Sequence, residues 1–403
     1  MSEGIPTPDE NNIWRMETSQ QSNSWPRSPY PNADNKYFMV SADGHVQEPK
    51  DLWVKRVPEE FHHRLPGVSV DKKGDQYQKT EGFRQVKIRN IKMEGEDALR
   101  NASGRSPEAR ISDLAMDGVD AEVLFPNLGL TIWATPDAEF SQMMCHAWNE
   151  WAWEEFGPYN DRLSPMACIA PADIEGAIAE IKRCAKLGFR GLSLPCKPVW
   201  GSPNHEDLNY NLPEFDPLWA VVQEVDLPLT FHVSTGRDPR TSRGNGGAVI
   251  NYAVHSLAPT MEPIANLCAS GVLDRFPKIR FGSIEAGIGW VAWALTAMDE
   301  AYKKHHMWRR PNLSYLPSEY FKMNGFASFQ EDPPGLDLAH EHGLVDNFLW
   351  ANDFPHHEGT WPHSAQAIER TMHKLNDHDR GQILGLNAAR IFKFDIPERY
   401  QSG

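Results

Sequence analysis

An α/β fold, a (β/α)8 TIM barrel with an N-terminal arm and an insertion on its catalytic face, is the class the sequence predicts. Three observations carry it. From Lys36 onward short apolar runs alternate with amphipathic stretches, the pattern of parallel strands joined by crossover helices. The runs suffice for eight strands, with no linker between them. The Gly-rich phosphate loop that an open doubly wound sheet carries after its first strand is absent, in either its GxGxxG or its GxxxxGK[ST] form.

In chain order, Tyr37–Ala42 reads as a strand ending at Asp43, and Arg110–Gly118 as a helix closed by its glycine. Ala121–Phe125 is a strand stopped by Pro126, and Met166–Ala170 another. Asp173 caps a helix that puts Ile174, Ile178, Ile181 and Ala185 on one face and stops at Gly188, before the strand Gly191–Leu194. Asp216-Pro217, an N-cap before a proline at the first helical position, opens a helix to Val225. Leu227–Phe231 is a strand running into His232, and a helix is expected from Ala253 to Leu273. Lys278–Ile284 ends at Glu285, Met323–Phe329 is a weaker strand, and Asn347–Ala351 ends at Asn352-Asp353. Ile383–Phe392 closes the barrel as a helix. The domain reading is an arm over 1–35, a barrel over 36–395 with 47–109 as insertion or lid, and a tail over 396–403; Trp200–Pro213 is a second long loop.

The chain has 403 residues and a formal net charge of −15, which repels phosphate backbones, so nucleic acid is not an expected partner. The 5 cysteines form no CxxC pair, which suits a reducing compartment. No signal peptide and no apolar run of about 18 residues is seen, so a cytoplasmic protein without a membrane span is expected. The arm is polar but carries Trp14, Met16 and Trp25, apolar anchors that suggest a homodimer or larger assembly.

Strand C-termini converge on one mouth of a barrel, and here four of them end in metal-ligand types: Asp43 with His45, His232, Glu285 and Asp353. Asp43 and His45, two apart on a strand, point the same way. Clustered carboxylates repel one another and lose hydration unless a cation joins them, so a bound metal is expected. Glu285 follows an apolar strand with no basic neighbour in sequence, which makes it a functional residue of that site, as ligand or as acid/base.

The ordered set Ser-Ala-Asp43-Gly-His45-Val-Gln-Glu48-Pro49, Gly188-Phe-Arg-Gly-Leu-Ser-Leu-Pro195, Phe231-His232, Gly271-Val-Leu-Asp-Arg-Phe-Pro277, Glu285-Ala-Gly-Ile-Gly-Trp290, Asn352-Asp353-Phe-Pro-His356 and Asn387-Ala-Ala-Arg-Ile-Phe392 resembles the amidohydrolase superfamily. Within it the resemblance is to the branch that includes aminocarboxymuconate-semialdehyde decarboxylase and the resorcylate and carboxyvanillate decarboxylases. It runs from Phe38 to Phe394. It implies a distorted (β/α)8 TIM barrel with a catalytic divalent metal at the mouth, with Asp43 and His45 matching the first-strand motif, His232 the fifth-strand histidine and Asp353 the eighth-strand aspartate. Two departures stand out: Asp-x-His replaces the common His-x-His, and Glu285 stands where a sixth-strand histidine is common. Carboxylate in place of imidazole makes the site harder, favouring Mn²⁺, Fe²⁺ or Zn²⁺, one or two per subunit.

His356, His357 and His363 follow the eighth strand; His356 or His357 is either a further ligand or the acid that protonates a leaving group or substrate carbon. Trp290 and Trp293 read as core. Trp200 and Trp361, on catalytic-face loops, read as platforms for an aromatic or alicyclic small-molecule substrate. Arg84, Arg110 and Arg237 are each able to clamp a substrate carboxylate, and Arg237 is carried forward. Two chemistries fit. In hydrolysis of an ester, thioester, amide or activated C–C bond, Asp353 takes the proton of a metal-activated water. In non-oxidative decarboxylation, Asp353 or a histidine protonates the carbon that loses CO₂. The carboxylate-rich set favours hydrolysis, decarboxylation is the alternative, and a ligand-binding barrel without turnover is the remaining class.

Overall fold

Parallel strands account for the central sheet of this computed structural model, which describes residues 37–400 apart from 84, 89–93, 199–207, 237–241, 243 and 306–310. They are β1 (Val40–Val46), β2 (Ala121–Pro126), β3 (Leu163–Pro165 continuing as Ala167–Cys168), β4 (Leu192–Leu194), β5 (Leu229–His232), β6 (Phe281–Ile284), β7 (Gly325–Phe329) and β8 (Phe348–Trp350). Each pairs with its sequence neighbour, and β3 changes partner at Met166: its first half bonds to β2 and its second to β4. β8 and β1 share no ladder. Their seam is closed by the Gly44–Phe354 bridge, with His45 N donating to Phe354 O at 2.8 Å, and by Asn352 N donating to Ser41 Oγ at 3.0 Å.

The barrel interior is filled by Val40, Ala42, Val123, Phe125, Ile284, Phe326 and Leu349, and the helix Asn387–Phe392 plugs its floor with Ala388, Ile391 and Phe392. Packing there leaves no slack: a Cβ on Gly282 would stand 2.1 Å from the Phe326 ring. Helices form the outer layer, started where the sequence supplies caps. Ser106 accepts from Ala109 N ahead of Pro107–Met116, Asp137 from Phe140 N ahead of Ala138–Phe156, and Asp173 from Gly176 N ahead of Ile174–Leu187.

Several elements differ from expectation. β1 starts later and runs on through Asp43 and His45, because Gly44–Val46 pair with Leu124–Pro126. The helix expected from Ala253 to Leu273 is broken into Gly247–Tyr252, a π turn at Ala253–Leu257, a 3-10 turn at Ala258–Thr260, then Met261–Ala269 and Val272–Arg275. Pro259 and Pro263 each remove an N–H from the helical ladder. Met323 belongs to the helix Pro317–Asn324 rather than to β7. The 19-residue helix Ala138–Phe156 is not among the elements expected from sequence: Trp148, Trp151, Ala152 and Phe156 share its buried face, but polar Ser141 and Asn149 are buried with them while Met143 and Trp153 are not, which blurs the apolar stripe.

The stretch 47–109 contains an antiparallel sheet of Gly67–Val70, Gln76–Lys79 and Val86–Lys87 and the helix Gly95–Ala102. The arm, with Trp14, Met16 and Trp25, lies outside the described residues. Among the described residues no helix is long and apolar enough to cross a membrane.

Candidate metal centre

Asp43 and His45 are wholly buried on β1, whose pairing with β2 slips between Ser41 and Gly44. Gly44 between them is demanded by its surroundings, since a Cβ there would meet Glu122 Oε1 at 2.0 Å and Arg110 Nη2 at 2.8 Å. Those two side chains form a buried pair, Arg110 Nε to Glu122 Oε2 at 2.5 Å, and Arg110 also donates to His45 O at 2.8 Å and Phe354 O at 2.9 Å. Burial pushes the Glu122 carboxyl up to about 7 even beside the guanidinium. Glu48 secures the end of β2, accepting from the backbone N–H groups of Asn127, Leu128 and Gly129.

His45 Nδ1 sits 2.8 Å from Pro126 O and His232 Nδ1 sits 2.9 Å from Val233 O. A carbonyl can only accept, so both Nδ1 atoms carry the proton and both Nε2 lone pairs face inward, the arrangement of metal-ligating histidines. His232 Nε2 is 3.3 Å from Asp43 Oδ1 and 3.3 Å from Glu285 Oε2, and His45 Nε2 is 3.5 Å from Asp353 Oδ1. Glu285 and Asp353, one residue past β6 and three past β8, hold left-handed backbones with φ of 61° and 52°, uncommon for side chains of this kind.

The ligand atoms of Asp43, His45, His232 and Glu285 lie within 4.8 Å of one another, and so do those of His45, Glu285, Asp353 and His356. Asp43 Oδ2, His45 Nε2 and both Asp353 carboxylate oxygens are buried with no hydrogen-bond partner among the described residues. Burial and the neighbouring Asp353 raise the carboxyls of Asp43 and Glu285 far above their ordinary values. Burial lowers the imidazoles of His45 and His232. Orphaned oxygens, inward lone pairs and crowded carboxylates fit a hard or borderline divalent cation, which satisfies all three at once.

Of the three histidines after β8, His356 alone reaches this cluster among the described residues. Its ring stacks on His45 with centroids 4.0 Å apart, and its Nδ1 is 3.1 Å from Asp353 Oδ1. Burial opposes its protonation, but Asp353, Glu285 and Glu358 outweigh it and push the imidazole up to about 10. His357 points outward onto Glu358, and His363 meets Glu96 at 3.0 Å.

Other expectations fail. Trp361 is buried, packs on Phe354 at 4.7 Å and donates its indole N–H to Asp113 O, so it anchors the loop and offers no face to a substrate. Arg110 spends its donors beneath the site and cannot clamp a carboxylate in the mouth. Trp293 is exposed and not core, while Trp290 is half-buried with its indole bonded to Gly287 O. Trp200, Arg84 and Arg237 lie outside the described residues. Sequence reasoning missed the support role of Arg110; its signal is an arginine one turn before Leu114, on the buried face of Pro107–Met116.

The family model described as amidohydrolase matches residues 52–394. A gamma-resorcylate decarboxylase of Rhizobium sp. (strain MTP-10005) is 24% identical over 304 residues, 72% of this chain and 87% of that protein. An amidohydrolase of Mycobacterium avium subsp. paratuberculosis K-10 has a solved structure with a TM-score of 0.70 and 20% identity, covering 90% of this chain and 99% of that one. A dihydroxybenzoic acid decarboxylase of Polaromonas sp. JS666, solved with bound manganese and an inhibitor, matches with a TM-score of 0.62 and 18% identity, over 91% and 99% of the two chains.

Proposed function

The chain belongs to the amidohydrolase family, and from that premise we propose that it is a metal-dependent, non-oxidative decarboxylase of an aromatic or related carboxylic acid. The observation that supports this reading over hydrolysis, which the carboxylate count favours, is the match to a gamma-resorcylate decarboxylase over 72% of this chain and 87% of that protein. The manganese carried by a decarboxylase of the same fold agrees with the donor set.

Asp43, His45, His232 and Glu285 would hold the cation, with Glu285 as ligand or as an acid/base beside it, and Asp353 joins through the overlapping group with His45, Glu285 and His356. When bound, it supplies a concentrated positive charge that orients and polarises an anionic oxygen substrate. The protein's own residues do the rest. Pro126 O and Val233 O fix the two imidazole tautomers, and Arg110 holds the backbone on both sides of the β1–β8 seam. Decarboxylation breaks the bond between ring carbon and carboxylate, releases CO₂, and requires one proton at the vacated carbon. The Asp353–His356 pair stands at the mouth to deliver it, with the His356 side chain still 24% exposed. For the same site the arm's apolar residues support a homodimer or larger assembly, tested by sedimentation of a chain lacking residues 1–30.

The test of function is a screen of the manganese-loaded protein against hydroxybenzoic acids and against acyl esters and thioesters, scoring CO₂ against free acid. CO₂ release from an aromatic acid supports the reading; free acid from esters with no CO₂ overturns it.

A further inference from the structure

The helix Gly95–Ala102, at the end of the stretch following β1, sends two buried side chains to the loop that carries Asp353 and His356. Arg100 is only 3% exposed; its Nε donates to Trp361 O at 3.1 Å and its Nη1 to His357 O at 3.0 Å, while its Nη2 reaches Trp361 O and, at 3.3 Å, Glu96 Oε2. Glu96 Oε1 in turn lies 3.0 Å from His363 Nε2. At the other end of the loop Arg110 holds Phe354 O. Carbonyls at 354, 357 and 361 are thus fixed by two planar guanidiniums, and the imidazole stacked on His45 sits between them. A helix that needed only to pack would bury a methionine or leucine more cheaply than a guanidinium, whose value is the fixed geometry of its donors.

We propose that Arg100, oriented by Glu96, is a positioning residue for His356. By holding the carbonyl of the very next residue and that of Trp361, it keeps the His356 ring over His45 and beside Asp353. This rests on the reading above only in that His356 serves the reaction; the loop geometry does not depend on which reaction it is.

The test uses the full-length, metal-loaded protein carrying Arg100→Met, Arg100→Lys or Glu96→Gln, each alone and with His356→Gln. Arg100→Met should keep its metal and its KM while kcat falls about tenfold or more, the scale of a reacting group displaced by a fraction of an ångström. Arg100→Lys should recover part of that loss, and Arg100→Met should add nothing in the His356→Gln background. Amide hydrogen exchange, which needs no substrate, should accelerate across residues 356–361 and stay unchanged in β4–β6. An undiminished kcat, a loss that multiplies with that of His356→Gln, or unchanged loop exchange overturns the proposal. If wild-type protein releases no CO₂, the functional reading falls and the exchange result alone decides the clamp. If Arg100→Met does not fold, Arg100→Lys and Glu96→Gln carry the same comparison.

Discussion

The imidazole of His356 lies flat on that of His45, planes 21° apart, so a residue of the β8 loop covers a candidate metal ligand of β1. One side of His45 is thereby closed to solvent, and its Nε2 is left to face Asp43, Glu285 and Asp353.

Chelation is expected to abolish activity, and manganese to restore it. His232→Ala and Asp353→Asn should each lose metal, turnover or both, read by metal analysis of the purified variants. Full metal and full rate in either one would remove that residue from the site.

Glu285→Gln removes a charge with little change of shape. With Glu285 Oε2 3.3 Å from His232 Nε2, the expected outcome is metal affinity weakened by about tenfold or more, equivalent to roughly 1.4 kcal/mol. Titration of the metal-free protein with Mn²⁺ checks it; unchanged affinity with lowered kcat would assign Glu285 to proton transfer instead.

Arg110→Met leaves the buried Glu122 carboxyl unpaired and takes the donor from His45 O and Phe354 O, and should cost about 3–5 kcal/mol of stability. Adding Glu122→Leu should return part of that loss. Denaturant unfolding of the single and double variants measures both; an equal loss in the two would show that the unpaired carboxyl is not the cause.

Acid should destabilise the fold partly through Glu180. Its burial favours the neutral form, yet hydrogen bonds from Arg183, His146 and Asn149 hold the carboxyl well below its ordinary value of 4.5. A group depressed in the folded state stabilises it above the unfolded value and loses that contribution as pH falls. Glu180→Gln should therefore cost about 1.5–3 kcal/mol at neutral pH, a difference that shrinks below about pH 4. A pH-independent difference between variant and wild type would refute the assignment.

The barrel is legible because strand ends carry unlike residues: His232, Glu285 and Asp353 each close an apolar run, and a barrel brings such ends to one mouth. His356, the histidine expected to be catalytic, and His357 carry the same sequence signature, since adjacent histidines differ only in where the loop turns them. Trp361 differs from expectation because an indole on a loop has the same sequence signature whether it faces substrate or, as here, packs on Phe354. The supporting role of Arg100 and Arg110 is not legible in the sequence for a related reason. Their partners are backbone carbonyls, which every residue has, so no pattern of side chains announces them.

The missing ladder between β8 and β1 gives the cation a second task. Among the described residues that joint is pinned by a few hydrogen bonds, where the other joints have paired strands. Asp43 and His45 stand on one bank of it and Asp353 on the other. A cation gripped from both banks would act as a rivet through the weakest join of the barrel. Loading the metal would then stiffen the whole cylinder as well as arm its mouth, and its loss would loosen both together.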